Sequence, residues 1–246
     1  MEKQNEFLSL FKSNKPIIGM LHLKGYDEAD ILLRALREID IYMRNGIDAV
    51  IIENYFGDIK SVDCVLSYLS NYHKDIIYGI NILGNYRKAF ELVDKYKAKF
   101  IQIDSVAGHL VYEDDKIFEH DLNLLRKQSP VKLIGGVRFK YQPYLSDRPL
   151  NEDLKIGMSR CDGIVVTGSG TGKETDLEKI IAFRNIIGNF PLIVGAGLTA
   201  RNCVNQLAIA DAGIVGSYLK VGHIDSGDVC NQNTKEFMEK VKTYRR

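Results

Sequence analysis

The sequence lacks the features that mark membrane, secreted and nucleic-acid-binding proteins. No apolar run approaches the roughly 18 residues that a membrane span requires. Residues 1–16 have neither a long apolar stretch nor a small-residue cleavage site, so we expect no signal peptide. Lysine and arginine number 33 against 32 aspartate and glutamate, which leaves no basic excess for binding nucleic-acid phosphates.

Cysteine and proline are also scarce, with four and five residues in a chain of 246. No two cysteines form a Cys-x-x-Cys pair, so their spacing predicts neither a zinc framework nor a redox motif. A reducing, cytoplasmic location fits unpaired thiols best. No proline- or serine-rich linker interrupts the chain, which favours a single domain over residues 1–246.

What the sequence does contain is an alternation of short apolar runs and amphipathic stretches. The apolar runs are rich in isoleucine and valine without clean alternation, which is typical of strands buried on both faces of a parallel sheet. The predicted strands cover residues 17–23, 49–54, 76–83, 100–104, 132–139, 163–168, 192–197 and 213–219. The predicted helices cover residues 29–44, 61–72, 86–96, 115–128, 150–160, 176–187, 200–208 and 234–243.

Eight strand–helix units in about 250 residues predict an α/β fold, a single (β/α)8 barrel of the TIM type. An open doubly wound sheet is the alternative, but eight units in one compact chain favour closure. Residues 1–15 form an N-terminal extension. Within it, Phe7, Leu8, Leu10 and Phe11 predict a short helix that caps the bottom of the barrel.

Polar side chains follow the predicted strands at the end where parallel strands converge on the mouth of a barrel. His22, Glu53 and Asp104 lie near the ends of three strands, and Arg138 and Lys140 lie near the end of a fourth. We interpret these five as catalytic candidates, because buried carboxyls move protons and cations stabilise developing negative charge. A divalent metal held by His22, Glu53 and Asp104 is one alternative. A purely structural role, such as an ion pair between Glu53 and Lys140, is another.

Glycines at the ends of the last two strands predict a phosphate site. Gly195 and Gly197 follow the seventh strand, and Gly216 and Ser217 belong to the eighth. In many barrels these positions offer backbone N–H groups to a phosphate, and glycine permits its close approach. Tight turns without a ligand are the alternative. Lys220, shortly beyond, would add a positive charge to the same site.

The glycine-rich run TGSGTGKE at 167–174 does not match either nucleotide-binding motif that it suggests. Its spacing is neither that of a P-loop nor the G-x-G-x-x-G of a dinucleotide site. We interpret it as a flexible loop over the mouth. Its substrate-binding candidates are Thr167, Gly168, Thr171 and Gly172. Further binding candidates at strand ends are Asn54 and Asn81.

Several of these segments, taken together and in order, resemble the BtpA/SgcQ family of bacterial and archaeal barrel proteins. The matching stretches are IIGMLHL (17–23), NGIDAVIIENYFGD (45–58), GINIL (79–83), DGIVVTGSGTG (162–172), VGAGLTARN (194–202) and DAGIVGSYLK (211–220). The resemblance implies a barrel of the ribulose-phosphate-binding type. One branch of the family is associated with photosystem I biogenesis and another with sugar-metabolism gene sets. The resemblance assigns no reaction to any residue.

The sequence departs from the family pattern at three places. The loop 24–27 is shorter than usual and lacks proline, Asp104 replaces a common asparagine, and residues 137–141 lack two expected histidines. Arg138 stands in that last segment and would suit an anionic substrate. These changes argue against carrying over a shared metal site.

We therefore expect an enzyme that acts on a small phosphorylated metabolite, a sugar or nucleoside phosphate, by isomerase, epimerase or lyase chemistry. The competing hypothesis is a non-catalytic assembly or stability factor for a protein complex, with a role like that in photosystem biogenesis. It predicts a blocked mouth and an exposed apolar patch, for which the candidates are Tyr55, Phe56, Tyr72 and Tyr144. Either is compatible with a homo-oligomer, although the sequence selects no dimer face.

Overall fold

The chain forms a closed barrel of eight parallel strands in sequence order, which confirms the predicted TIM barrel. The computed structural model describes residues 6–245. The strands are β1 (Ile17–Leu21), β2 (Ala49–Glu53), β3 (Tyr78–Asn81), β4 (Phe100–Ala107), β5 (Lys132–Val137), β6 (Gly163–Val166), β7 (Leu192–Val194) and β8 (Ala212–Val215). The helices are α1 (Glu28–Asn45), α2 (Ile59–Tyr72), α3 (Tyr86–Tyr96), α4 (Tyr112–Gln128), α5 (Leu150–Arg160), α6 (Leu177–Ile187), α7 (Cys203–Leu207) and α8 (Asn231–Arg245).

Alternate residues of each strand face opposite layers of the core, as expected of extended chains. In β1, Ile17 packs outward against the helices, whereas Ile18 belongs to the cluster inside the barrel. The register of β1 with β8, Ile18 beside Ile214, closes the ring. All eight carboxyl ends therefore meet around one mouth.

The N-terminal segment closes the opposite end of the barrel. Leu8–Leu10 form a short 3-10 helix, and Phe7 and Phe11 on either side of it are buried. The Phe7 ring packs edge-on against Phe100, the first residue of β4, at 5.5 Å between centroids. Because Phe100 begins a strand, this contact marks the bottom of the barrel.

The last two strands, each of which is followed by a glycine, are shorter than the sequence predicts. β7 and β8 end at Val194 and Val215, and Ser217–Leu219 form a 3-10 helix rather than the end of β8. Gly195 still donates its N–H to Val166, whereas Gly197 turns the chain with a φ of +66°. The glycines thus belong to the mouth and not to the sheet.

Several loops at the mouth are fixed by side chains that cap or bridge turns. Asp58 caps α2 by accepting the N–H of Ser61 at 2.8 Å, and Asn202 donates to the carbonyl of Gly197 at 2.9 Å. Asp176 precedes α6 but makes no capping hydrogen bond through its side chain. Within residues 6–245, no helix combines the length and hydrophobicity needed to cross a bilayer.

Candidate active site

A cavity of about 340 Å³ opens at the carboxyl ends of the strands. Its lower wall is made by inward-facing side chains of the barrel, among them Met20, Phe139 and Ile214. Polar groups from the strand ends and loops complete it. The predicted catalytic residues His22, Glu53, Asp104 and Lys140 all line this cavity.

Two carboxyl groups meet in the cavity through one amide. Asn81 donates its side-chain N–H groups to Glu53 Oε1 at 2.7 Å and to Asp104 Oδ1 at 3.0 Å. The strands dictate this arrangement, because Glu53 and Asn81 are register partners in adjacent β2 and β3, and Asp104 lies in β4 beyond them. Both Glu53 and Asn81 are buried.

Burial of this pair changes how it titrates. Desolvation, followed by the repulsion of Asp104, raises the pKa of Glu53 to about 8. Desolvation also raises the pKa of Asp104, although hydrogen bonds from Asn81 and Gln102 oppose it. Glu53 can therefore take up or release a proton near neutral pH, which a general acid or base requires.

Lys140 supplies a cation to the same cavity. Its ammonium Nζ donates to Thr171 Oγ1 at 3.1 Å, and its backbone N–H donates to Thr167 Oγ1 at 3.1 Å. Burial lowers the pKa of Lys140, and the nearby Glu53 and Asp104 counteract that effect. The side chain is thus fixed by the loop that follows β6 while it faces the carboxyl pair.

His22 lies beside Glu53, with 3.8 Å between Nε2 and Oε2. Tyr55 stacks on the imidazole with 4.6 Å between ring centroids. Burial and then the charge of Lys220 lower the pKa of His22 to about 3, so the ring is neutral at neutral pH. The site therefore combines a titrating carboxyl, a neutral imidazole and a lysine.

Residues that follow β7 and β8 line another side of the cavity. Gly197, Gly216 and Ser217 line it, and the N–H groups of these three have no protein acceptor among residues 6–245. Gly195 also lines the cavity, but its N–H donates to the carbonyl of Val166 at 2.8 Å. Three of the four predicted positions thus present unpaired donors, which is the arrangement that an anion needs.

The loop after β6 packs directly over the end of β7. A Cβ added to Gly197 would lie 2.2 Å from the carbonyl oxygen of Lys173 and 2.4 Å from Glu174 Cα. Thr171 and Gly172 of this loop line the cavity, and Tyr141 accepts the N–H of Thr171 at 2.8 Å. The loop therefore covers part of the mouth, as the sequence suggests.

Arg138 does not join the site. Its guanidinium donates to Asp153 at 3.0 Å and to the carbonyl of Arg148 at 2.7 Å, and it stacks over Tyr144. The strand ends at Val137, and a φ of +49° at Arg138 turns the side chain away from the inward-facing row. The arginine is thus a partner of Asp153 and not a lining residue of the cavity.

Five of the predicted binding residues do not line the cavity. Asn81 joins the two carboxyl groups, and the other four serve the structure around the site. The Asn54 Oδ1 accepts the N–H of Leu83 at 2.7 Å, and Gly168 lies under the carbonyl of Glu174. Thr167 Oγ1 accepts the backbone N–H of Lys140. Lys220 Nζ lies 2.8 Å from His22 Nδ1.

Sequence reasoning missed several residues that the structure brings to the site. Tyr55 and Tyr141 line the cavity, and each comes shortly after a predicted strand, so position alone could have indicated them. Gln102 lies two residues before Asp104 and shares its inward orientation. Asp225 also contacts His22, but it lies far from any strand and has no local signal.

His22, Glu53 and Asp104 line one cavity but are not arranged as a set of metal ligands. Residues 6–245 contain no group of three or more histidine, cysteine, aspartate or glutamate side chains arranged to hold a metal ion. His22 approaches Glu53, but Asn81 stands between Glu53 and Asp104 and donates to both.

The chain is similar in sequence and in fold to several known proteins. An uncharacterized protein of Methanocaldococcus jannaschii is 30% identical, covering 87% of this chain and 89% of its own length. The photosystem I biogenesis protein BtpA of Synechocystis is 25% identical, covering 87% of this chain and 84% of its own. Among solved structures, phosphoribosyl anthranilate isomerase from Thermococcus kodakaraensis has a TM-score of 0.62 at 17% identity, covering 93% of this chain and 99% of its own. The BtpA family model matches residues 13–243, and the chain belongs to the BtpA family.

Proposed function

We propose that this protein is a cytoplasmic isomerase, epimerase or lyase that acts on a small phosphorylated metabolite, a sugar or nucleoside phosphate. One observation carries the proposal. The carboxyl pair of buried Glu53 and half-buried Asp104, joined by Asn81, faces a cavity that also holds Lys140 and His22. Such a pair is costly to bury without partners and is suited to proton transfer.

In the proposed reaction Glu53 removes a proton from a carbon beside a carbonyl group. The electron pair of the C–H bond moves toward the carbonyl oxygen, which becomes an enolate. Lys140 and the imidazole of His22 stabilise the negative charge on that oxygen. Return of the proton from Glu53 to another carbon, or to the other face of the same carbon, gives isomerisation or epimerisation. Expulsion of a leaving group from the enolate gives a lyase.

The phosphate in this proposal binds to the N–H groups of Gly197, Gly216 and Ser217. Their lack of protein acceptors supports this assignment, because phosphate oxygens accept hydrogen bonds readily from backbone amides. A cavity of about 340 Å³ has room for a small metabolite. The solved isomerase with the same fold is itself named for a phosphorylated substrate.

The assembly-factor hypothesis is weaker on structural grounds. It required a blocked mouth, whereas the mouth contains an open cavity. Its aromatic candidates also fall into separate groups: Tyr55 and Phe56 pack on His22, Tyr72 packs on Tyr68, and Tyr144 packs under Arg138. The name of the Synechocystis relative favours this alternative.

A binding experiment tests the phosphate assignment. Inorganic phosphate and ribose 5-phosphate should raise the melting temperature of the wild type, whereas ribose should not. Ser217→Asp should weaken this protection at least tenfold in ligand concentration, because it places a carboxylate beside the amides. Ser159→Asp, on the exposed end of α5, is the matched control and should bind as the wild type does. Equal protection of wild type and Ser217→Asp would refute the assignment.

A second experiment tests the proton transfer. With a panel of sugar phosphates in D₂O, the wild type should exchange a carbon-bound hydrogen of its substrate for deuterium, which proton NMR detects. Glu53→Gln keeps the acceptor for Asn81 but cannot take the proton, so exchange should fall by about 10²-fold or more while binding persists. Exchange at the wild-type rate in Glu53→Gln would contradict the proposed base.

A further inference from the structure

The side of His22 that faces away from the cavity is held by a buried lysine. Lys220 Nζ lies 2.8 Å from His22 Nδ1 and donates to the carbonyl oxygen of Asp225 at 2.7 Å. The same carbonyl lies 3.1 Å from Nδ1. Lys220 is 2% exposed and does not line the cavity, so its contacts are with the protein and not with a ligand.

An ammonium group has three donors and no acceptor. Two acceptors, Nδ1 of His22 and the carbonyl of Asp225, lie within hydrogen-bond distance of Lys220 Nζ. A charged Lys220 satisfies both at once, which leaves Nδ1 as an acceptor. The neutral imidazole then carries its proton on Nε2.

The opposite ring nitrogen is open to the cavity. Nε2 makes no hydrogen bond among residues 6–245, because Glu53 Oε2, at 3.8 Å, is too distant. A Cβ added to Gly216 would lie 3.7 Å from Nε2, so this nitrogen borders the wall of unpaired backbone N–H groups. A proton on Nε2 would be a further donor on that wall.

We infer that Lys220, together with the carbonyl of Asp225, is a positioning residue that fixes His22 as a neutral hydrogen-bond donor, with its Nε2–H directed into the cavity. His22 then stabilises negative charge on the substrate and does not act as a base. The substrate part of this role rests on the proposed function, whereas the protonation of the free protein does not.

The charges around His22 are consistent with this state. Burial is the largest cause of the lowered pKa of His22; Lys220 and Lys140 also disfavour a protonated ring, whereas Asp225 favours one. Glu53 lies on the cavity side. Burial lowers the pKa of Lys220, and the charges of Glu38 and Asp225 oppose that effect. Tyr55, stacked on the ring, donates its hydroxyl to Asp225 Oδ2 at 3.1 Å and ties the same segment to the imidazole.

Nitrogen NMR of the ligand-free protein, labelled with ¹⁵N-histidine, tests the inference. Long-range proton–nitrogen correlation should show His22 neutral at pH 7 with the proton on Nε2, and His22→Asn identifies its signals. Lys220→Met should shift the ring toward the Nδ1–H form, which can donate to the carbonyl of Asp225, and should raise the pKa of His22. Lys220→Gln gives a second variant if Lys220→Met folds poorly.

Lys24→Met is the matched control, because Lys24 lies two residues after His22 and donates to the carbonyl of Ser226, next to Asp225, at 2.8 Å. It should leave the His22 signals unchanged. With a turned-over substrate, Lys220→Met should lower kcat about 10- to 100-fold with little change in KM. A wild-type ring protonated on Nδ1, or unchanged signals in both Lys220 variants, would overturn the inference even if the proposed reaction were correct. Failure to find a substrate would leave the NMR result intact.

Discussion

At the scale of residues, the site depends on which strand positions face inward. Glu53 follows the interior residue Ile51 by two positions, and His22 follows Met20 in the same way. The two-residue period of a strand therefore directs both side chains into the barrel. Arg138 has the same parity as the interior residue Ile134, yet it points elsewhere. Parity predicts orientation only while the strand continues, and β5 ends one residue earlier.

The raised pKa of Glu53 predicts a dependence of stability on pH. Its pKa is about 8 in the folded protein against an ordinary value of 4.5. Between these values the folded state keeps a proton that the unfolded state has released, so this group's stabilisation is full below pH 4.5 and is lost as the pH rises through 8. Glu53→Gln has no such proton. Urea unfolding from pH 5 to 8.5 should therefore show wild type losing on the order of 1–3 kcal/mol relative to Glu53→Gln.

His22 makes the folded state less stable as the pH falls below 6.5, because the unfolded imidazole binds a proton that the folded ring does not. Both proteins contain His22, so its contribution largely cancels in the difference. Parallel stability curves for wild type and Glu53→Gln across this range would contradict the raised pKa.

Arg138 gives a second test at this scale. Because its guanidinium is bound to Asp153 and to the carbonyl of Arg148 outside the cavity, Arg138→Met should leave substrate turnover within about threefold. It should cost about 1–3 kcal/mol in urea unfolding, because Asp153 loses one of its charged partners. Loss of turnover by 10²-fold with normal stability would restore Arg138 to the catalytic residues.

At the scale of elements, the sequence predicts the existence and order of strands and helices better than their ends. Apolar runs and helical periodicity depend on which faces are buried, and both are visible in a single chain. The boundary of β8 was wrong because Gly216 leaves the ladder and Ser217–Leu219 tighten into a 3-10 helix. The contact of Lys220 with His22 depends on that turn and on Asp225, so periodicity could not reveal it.

Packing of the loop after β6 onto Gly197 predicts how that loop responds to a methyl group. Gly197→Ala should displace the loop, because the new Cβ would overlap the carbonyl of Lys173, and it should also strain a φ of +66°. We expect a loss of about 2–4 kcal/mol and faster tryptic cleavage after Lys173. Gly84→Ala separates the two effects, since Gly84 has a φ of +73° and empty space around it. Equal behaviour of both variants would show that backbone strain alone is responsible.

At the scale of the whole molecule, the barrel separates stability from chemistry along its axis. The bottom is closed by Phe7 and Phe11 against Phe100, and the mouth holds the carboxyl pair and the backbone donors. In barrels of this kind, conserving the bottom serves folding and changing the mouth changes function. The length and repeat pattern of the chain predict this division, but the identity of the substrate depends on loop geometry that the pattern does not specify.

The division predicts that a large loss of stability at the bottom leaves binding at the mouth intact. Phe7→Ala removes a fully buried ring from between Phe11 and Phe100, and it should cost about 3–5 kcal/mol in urea unfolding. Tyr26→Ala, at a side chain that is 94% exposed, is the control and should change stability by less than about 0.5 kcal/mol. At a temperature where Phe7→Ala remains folded, its affinity for ribose 5-phosphate should match that of wild type within about twofold. A parallel loss of affinity would mean that the plug at the bottom and the mouth are mechanically coupled through the barrel interior.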